Sequence, residues 1–147
     1  MHNNQIEQIP YYLTWKLRHE VMYPELSIED VKLENDIIGL HFGLYAEFKL
    51  TSVVSLFEQG NLVQLRKFAT AQDQQGNGYG TQLLEYVIDF SEKTIGANIL
   101  WCNARMIALP FYEKFGFKPA GDTWEAMGYT FIKMERRSKF NSTDTKV

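Results

Sequence analysis

Between Gln75 and Thr81 the chain reads Gln-Gly-Asn-Gly-Tyr-Gly-Thr, with a β-like run, Leu62 to Thr70, before it and a helix-like run from Gln82 after it. Glycines at 76, 78 and 80 remove the Cβ atoms from a turn that enters a helix, so successive backbone N–H groups can converge on one anion. The chemistry this allows is the gripping of a pyrophosphate by Gly76, Asn77, Gly78, Tyr79, Gly80 and Thr81, with the helix dipole behind them. Two commoner phosphate loops do not fit. A Walker loop closes on Gly-Lys-Ser/Thr, whereas Gly80 is followed directly by Thr81. A dinucleotide fingerprint needs a third glycine where Thr81 stands, in a first βαβ unit, and this loop lies mid-chain after several β-rich runs.

The remaining pattern, Gln-x-x-Gly-x-Gly on Gln75, Gly78 and Gly80, resembles the acyl-CoA loop of the GNAT superfamily of N-acetyltransferases. A second segment agrees. Asn103 to Phe117 reads Asn-Ala-Arg-Met-Ile-Ala-Leu-Pro-Phe-Tyr-Glu-Lys-Phe-Gly-Phe, similar to that superfamily's Asn-Ala-Arg-x-x-Ala-x-x-Phe-Tyr-Glu-Lys-x-Gly-Phe signature, in the expected order and separation. Together the motifs cover residues 62 to 117, and the N-terminal third is matched in strand and helix order only. The resemblance implies an α/β (α+β) fold with a mixed, mostly antiparallel central sheet, helices on both faces and a splayed strand pair. It implies acetyl-CoA as cosubstrate. The pantetheine arm would then meet Phe68, Ala69 and Thr70 in the slot opened by the splay, and the loop from Gln75 to Thr81 would hold the pyrophosphate.

Acyl transfer to an amine ends with a departing CoA thiolate, which a nearby proton donor assists. Tyr112 matches the superfamily tyrosine in that role, and a phenol with a pKa of about 10 stays protonated at neutral pH. Packing beside Phe111 is the alternative for Tyr112. Asn103 would bind the cofactor arm or fix the strand-to-helix turn, and Lys114 would reach a CoA phosphate or simply be solvated. The attacking ammonium must first lose a proton. His41 has the best intrinsic pKa for a base, a structural role being the alternative, and Glu20 and Glu125 are further candidates. Period-two alternation puts Arg66 on the strand face of Gln64 and Phe68, where it could hold a substrate carboxylate or pair with Glu58 or another surface acid. One departure stands out: the most similar branch carries a histidine three residues before a methionine in its last strand, and here Phe131 stands three before Met134.

Composition narrows the partners. A net charge of −3 and a pI near 5.6, with no basic face, argue against nucleic acid. No apolar run approaches the ~20 residues of a membrane span, and Met1 to Pro10 is too polar for a signal peptide, so a cytoplasmic protein without a membrane partner is expected. The one cysteine, Cys102, lies in the apolar stretch Ile99 to Cys102 and reads as buried and inert. Scattered histidines and a single cysteine offer no metal cluster. A homodimer stays open.

The elements that must position these groups follow from period and punctuation. Pro10 opens a helix with Leu13, Leu17, Val21 and Met22 at helical spacing, and Pro24 ends it. Ser27 and Asp30 have capping-box spacing for a short second helix with Ile28, Val31 and Leu33 on its apolar side. Ile37 to Tyr45, Lys49 to Phe57 and Leu62 to Thr70 read as an antiparallel meander. Leu83, Leu84, Val87, Ile88 and Phe90 then mark a helix ending near Gly96, followed by a short buried strand. Ile107, Phe111, Tyr112 and Phe115 define another helix, with Gly116 as a left-handed stop. Phe131 to Glu135 is the last strand. Residues 1 to 137 are expected to form one domain, and 138 to 147 a polar tail. The resemblance thus implies an acetyl-CoA-dependent transfer to a primary amine of a small molecule, by direct attack in a ternary complex. A protein or peptide acetyltransferase and a non-catalytic acyl-CoA sensor are the alternatives.

Overall fold

The computed structural model describes residues 4–139, so the expected polar tail falls almost wholly outside the described residues. Eight strands, mostly antiparallel, are hydrogen-bonded in the order β1-β2-β3-β4-β5-β8-β6, with β7 on β8. They are β1 (Asn4–Ile9), β2 (Leu40–Ala46), β3 (Lys49–Gln59), β4 (Leu62–Thr70), β5 (Ile99–Arg105), β6 (Lys118–Pro119), β7 (Trp124–Ala126) and β8 (Tyr129–Arg137). Three α-helices, α1 (Trp15–Leu17), α2 (Tyr79–Asp89) and α3 (Leu109–Glu113), complete the mixed α/β fold expected from the sequence. Contacts divide the chain into two units. The first runs to Phe57 and takes in Leu65–Val87, and the second is Glu58–Gln64 with the described chain from Ile88 onward.

In the first unit, β1 pairs antiparallel with β2 and β2 with β3, so two strands of the expected meander are joined by one strand that hydrophobic patterning does not reveal. β1 is a polar edge strand in which only Ile9 is buried, so it carries no alternating signal. Helices cover both faces. Leu17 packs with Ile9, Val53 and Ala69 on one face, while Tyr86 of α2 meets Phe42 on the other, ring centroids 5.9 Å apart. Leu83, Leu84 and Val87 are fully buried, as the helical stripe requires.

The helix expected after Pro10 is a composite. A 3-10 turn, Tyr11–Thr14, leads into α1, and a π-helical turn, Arg18–Met22, leads out. Leu13 is left exposed, and Arg18 is fully buried. The box at Ser27 forms, since the Asp30 carboxylate accepts from the Ser27 N–H and hydroxyl at 3.0 Å each. It caps a 3-10 turn, Ile28–Val31, that buries Val31 and leaves Ile28 exposed. Ile37 and Ile38 do not begin β2. They sit in a turn, Asp36–Ile38, and are 74% and 78% exposed, because the chain bends there to aim the Asp36 carboxylate inward.

In the second unit, β4 and β5 pair in parallel through Leu62↔Ile99, Val63↔Leu100 and Gln64↔Trp101, a ladder using only the first three residues of each strand. β5 pairs with β8 over its whole length, from Ile99↔Arg137 to Arg105↔Phe131. β8 is thus longer than its apolar stretch suggests, because the ladder rather than hydrophobicity sets its ends. The segment after α2 ends at Gly96 and α3 is followed by Gly116, both left-handed at φ 79° and 87° as their cap positions demand. Ile107 does not join the buried face of α3. It lies in the preceding 3-10 turn and is 89% exposed.

Candidate active site

In the first unit the loop after β4 turns through Gly76 and Gly78, at φ 89° and 83°, conformations that L side chains rarely adopt. No atom lies within 4 Å of where a Cβ would stand at either residue, so the space beside the loop is open. α2 starts at Tyr79, so the N–H groups of its first turn have no intrahelical partners. Side chains brace the loop: Gln75 Nε2 donates to the Thr70 carbonyl at 3.0 Å, and Asn77 Nδ2 to the Gln74 carbonyl at 3.1 Å. Gly80 sits inside α2, where an added Cβ would stand 3.5 Å from Thr70 Oγ1 and 3.6 Å from Phe68 Cζ. Thus Phe68, Thr70 and the loop are brought together. Ala69 points the other way, into the core beside Leu17. A cradle bare of side chains at a helix start suits a pyrophosphate such as that of CoA.

Arg66 and Phe68 do not share a face, which corrects the simple alternation. Lys67 adopts a left-handed conformation, φ 56°, which interrupts the alternation of faces along β4. Phe68 therefore faces α2, while the Arg66 guanidinium lies over the Phe57 ring at 5.9 Å. No pairing with Glu58 occurs among the described ion pairs.

On that same face a buried polar network surrounds His41. Arg18 donates to both Asp36 oxygens at 2.9 Å, to the Val31 carbonyl at 3.1 Å and to Ser55 Oγ at 3.0 Å. The Leu33 N–H and Trp15 Nε1 also donate to Asp36. His41 Nε2 is 2.8 Å from the Asp36 carbonyl and Nδ1 is 2.7 Å from Ser55 Oγ. A carbonyl can only accept, so Nε2 carries the proton, and because burial disfavours the charged ring Ser55 donates to an unprotonated Nδ1. Both nitrogens are engaged and the side chain is buried, which leaves no lone pair for a substrate proton. Burial holds the His41 pKa below its ordinary 6.5, against the pull of Asp36. Burial also pushes Asp36 up, but Arg18, Leu33 and Trp15 together outweigh it and hold the carboxyl below 3.8.

Both groups resist protonation in the fold. The His41 contribution to stability is complete above pH 6.5 and is lost as pH falls through its lower folded value, and that of Asp36 follows in more acid solution. Melting temperature should therefore be level above neutrality and decline below pH 6.5, with His41→Gln removing the upper part of the decline. Identical acid limbs for the two proteins in scanning calorimetry would contradict this.

In the second unit, Tyr112 of α3 is buried, edge-on to Phe111 and Phe117 at 5.4 and 5.3 Å, and its phenol neighbours the Cys102 thiol. Burial, then the Cys102 neighbour, raises the Tyr112 pKa. Burial likewise pushes Cys102 up to about 12, so this thiol is not a thiolate at neutral pH. Successive residues of a strand face opposite ways, so exposed Asn103 lies on the other side of β5 from the Cys102–Tyr112 contact. Its neighbours are cations over rings: Lys133 over Trp101 at 4.8 Å and Arg105 over Tyr129 at 3.8 Å. Phe131, at the position of the absent histidine, stacks on Trp124 with centroids 5.7 Å apart. Lys114 is exposed at the end of α3. Glu20 and Glu125 are exposed as well. Sequence reasoning missed Arg18, Asp36, Ser55 and Lys67, and only the inward slot of Arg18 beside Leu17 hinted at any of them.

A glycine-bent loop at a helix start and a mixed, mostly antiparallel sheet with one parallel pair define an acetyltransferase-like fold. The family model described as "Acetyltransferase (GNAT) domain" matches residues 20–138, and the chain belongs to that family. It is an N-acetyltransferase, catalysing acetyl-CoA-dependent acetyl transfer. It is 26% identical over 133 residues to the uncharacterized N-acetyltransferase YitI of Bacillus subtilis (strain 168), covering 84% of this chain and 89% of that one. Its fold is similar to that of the ribosomal-protein-S18-alanine N-acetyltransferase from Escherichia coli, with TM-score 0.79, 21% identity and coverage of 99% and 100%. It is also similar to a GNAT family acetyltransferase from Elizabethkingia anophelis with acetyl-CoA bound, with TM-score 0.69, 19% identity and coverage of 92% and 98%. Among the described residues no helix is long and apolar enough to cross a membrane.

Proposed function

We propose that the enzyme acetylates the primary amine of a small molecule by direct attack on acetyl-CoA within a ternary complex. The observation that carries the direct route is the Cys102 thiol, buried and pushed up to about 12, which disfavours a covalent acyl-enzyme. In this reading the amides of Gly76 to Thr81 hold the pyrophosphate, with Gln75 bracing the loop from Thr70. Main-chain groups of Phe68, Ala69 and Thr70 align the pantetheine arm, and their N–H dipoles polarise the thioester carbonyl. Asn103 and Lys114 serve the cofactor arm and a CoA phosphate. Arg66 binds the acceptor.

Tyr112 gives its phenolic proton to the sulfur as the carbon–sulfur bond breaks and the carbon–nitrogen bond forms. Burial favours the neutral phenol, so the proton moves only as negative charge builds on the sulfur. His41 enters as a brace for the Arg18–Asp36 pair, and the proton of the amine leaves through water. Tyr112→Phe should lower turnover by about a hundredfold. The lost contact to Cys102 should cost only about 1 kcal/mol of stability. Unchanged turnover in that variant would remove the assignment. An amine panel assayed by thiol release tests the whole reading. Turnover of small amines is the expected result, turnover of peptides alone would replace the acceptor class, and CoA binding without any turnover would favour a sensor.

A further inference from the structure

Resting on that reading, we propose that Arg66 and Lys67 form a clamp for a carboxylate on the acceptor, so that the substrate class is a small amine that also carries a carboxylate. Adjacent strand residues ordinarily point to opposite faces. The left-handed Lys67, φ 56°, cancels that rule and brings both cations to one side of β4, Arg66 over the Phe57 ring and Lys67 onto Tyr23. A lysine rarely adopts this conformation, and such residues persist where the surrounding structure holds them.

Neither cation has an acidic partner among the described ion pairs. The acid acting on Arg66, Asp36, is already bound through both oxygens to Arg18. Arg66 is half-buried, and its guanidinium is supported by the Phe57 ring at 5.9 Å. Lys67 Nζ donates to the Tyr23 hydroxyl at 3.0 Å and lies 4.7 Å from the centre of its ring, neutral partners that supply no counter-charge. A half-buried pair of like charges without an anion is unfavourable by itself, and an incoming carboxylate relieves it. The guanidinium fork matches two carboxylate oxygens in one plane, the ammonium adds a point charge, and the Phe57 and Tyr23 rings supply apolar walls.

The test uses the full chain with saturating acetyl-CoA and a panel of amino acids, their decarboxylated amines and their phosphonate analogues. Thiol release gives turnover, and calorimetry on the CoA-loaded protein gives acceptor binding. Amino acids should be the preferred acceptors, and Arg66→Gln should raise their KM about tenfold or more with kcat little changed. Arg66→Lys should recover part of the loss, and Lys67→Met should show a smaller rise. Thermal melting of each variant checks that it folds. Preference for decarboxylated amines or phosphonates, or a preference untouched by either substitution, would overturn the clamp while leaving the transferase reading intact. Amino acids that bind through Arg66 without being acetylated would keep the clamp and remove the proposed chemistry. No binding of any amino acid would also overturn the clamp.

Discussion

Gly78→Glu is expected to abolish CoA binding while leaving the fold largely intact. Two effects act together. Gly78 sits at φ 83°, where an L residue costs about 1–2 kcal/mol, which strains the loop locally but does not unfold a domain. The second effect dominates: a carboxylate placed in the open space beside Gly78 would occupy the cradle and repel a pyrophosphate. Gly78→Ala separates the two, because it keeps the backbone strain and omits the charge. Calorimetry should show a modest loss for alanine and no detectable CoA binding for glutamate. Wild-type affinity in the glutamate variant would show that the loop is not the anion site.

The largest effect on stability should come from Arg18→Met. Arg18 is fully buried and holds both oxygens of Asp36, itself 2% exposed, so removing it leaves a buried carboxylate without its main counter-charge. Breaking such a pair by deleting one partner costs about 3–5 kcal/mol. Ser55 and the Val31 carbonyl also lose a donor, which adds to the damage. Adding Asp36→Asn should recover part of the loss, since the orphaned charge disappears while the side chain can still accept from the Leu33 N–H. Urea denaturation of the three proteins measures this. A loss below about 1 kcal/mol for Arg18→Met would mean that water reaches the pair and that the network is not the buried brace described here.

Each level of the structure was legible to a different degree. The loop from Gln75 to Gly80 and the signature from Asn103 to Phe117 could be read because their requirements are local: glycines where φ is positive, a helix start behind them, a left-handed stop at Gly116. The stripe Leu83, Leu84 and Val87 was likewise visible, because one face of one helix is buried along its length. β1 was invisible, since an edge strand with a single buried residue has no pattern. His41 looked like a base because its intrinsic pKa suits the task. Only Ser55, 14 positions away, and the Asp36 carbonyl show that both of its nitrogens are engaged.

The sequence by itself determined the glycine loop, the helix behind it and the signature from Asn103 to Phe117, because glycine turns and helix ends are specified by neighbouring residues. Tertiary structure alone decided which charges face one another. Lys67 breaks the pleat by a backbone angle that no residue type announces, turning Arg66 away from Phe68 and toward Phe57. Arg18 reaches Asp36 across 18 positions, and neither residue carries a local mark of its partner. Side-chain placement of this kind depends on how separate segments pack, and a linear pattern does not encode that at any single position.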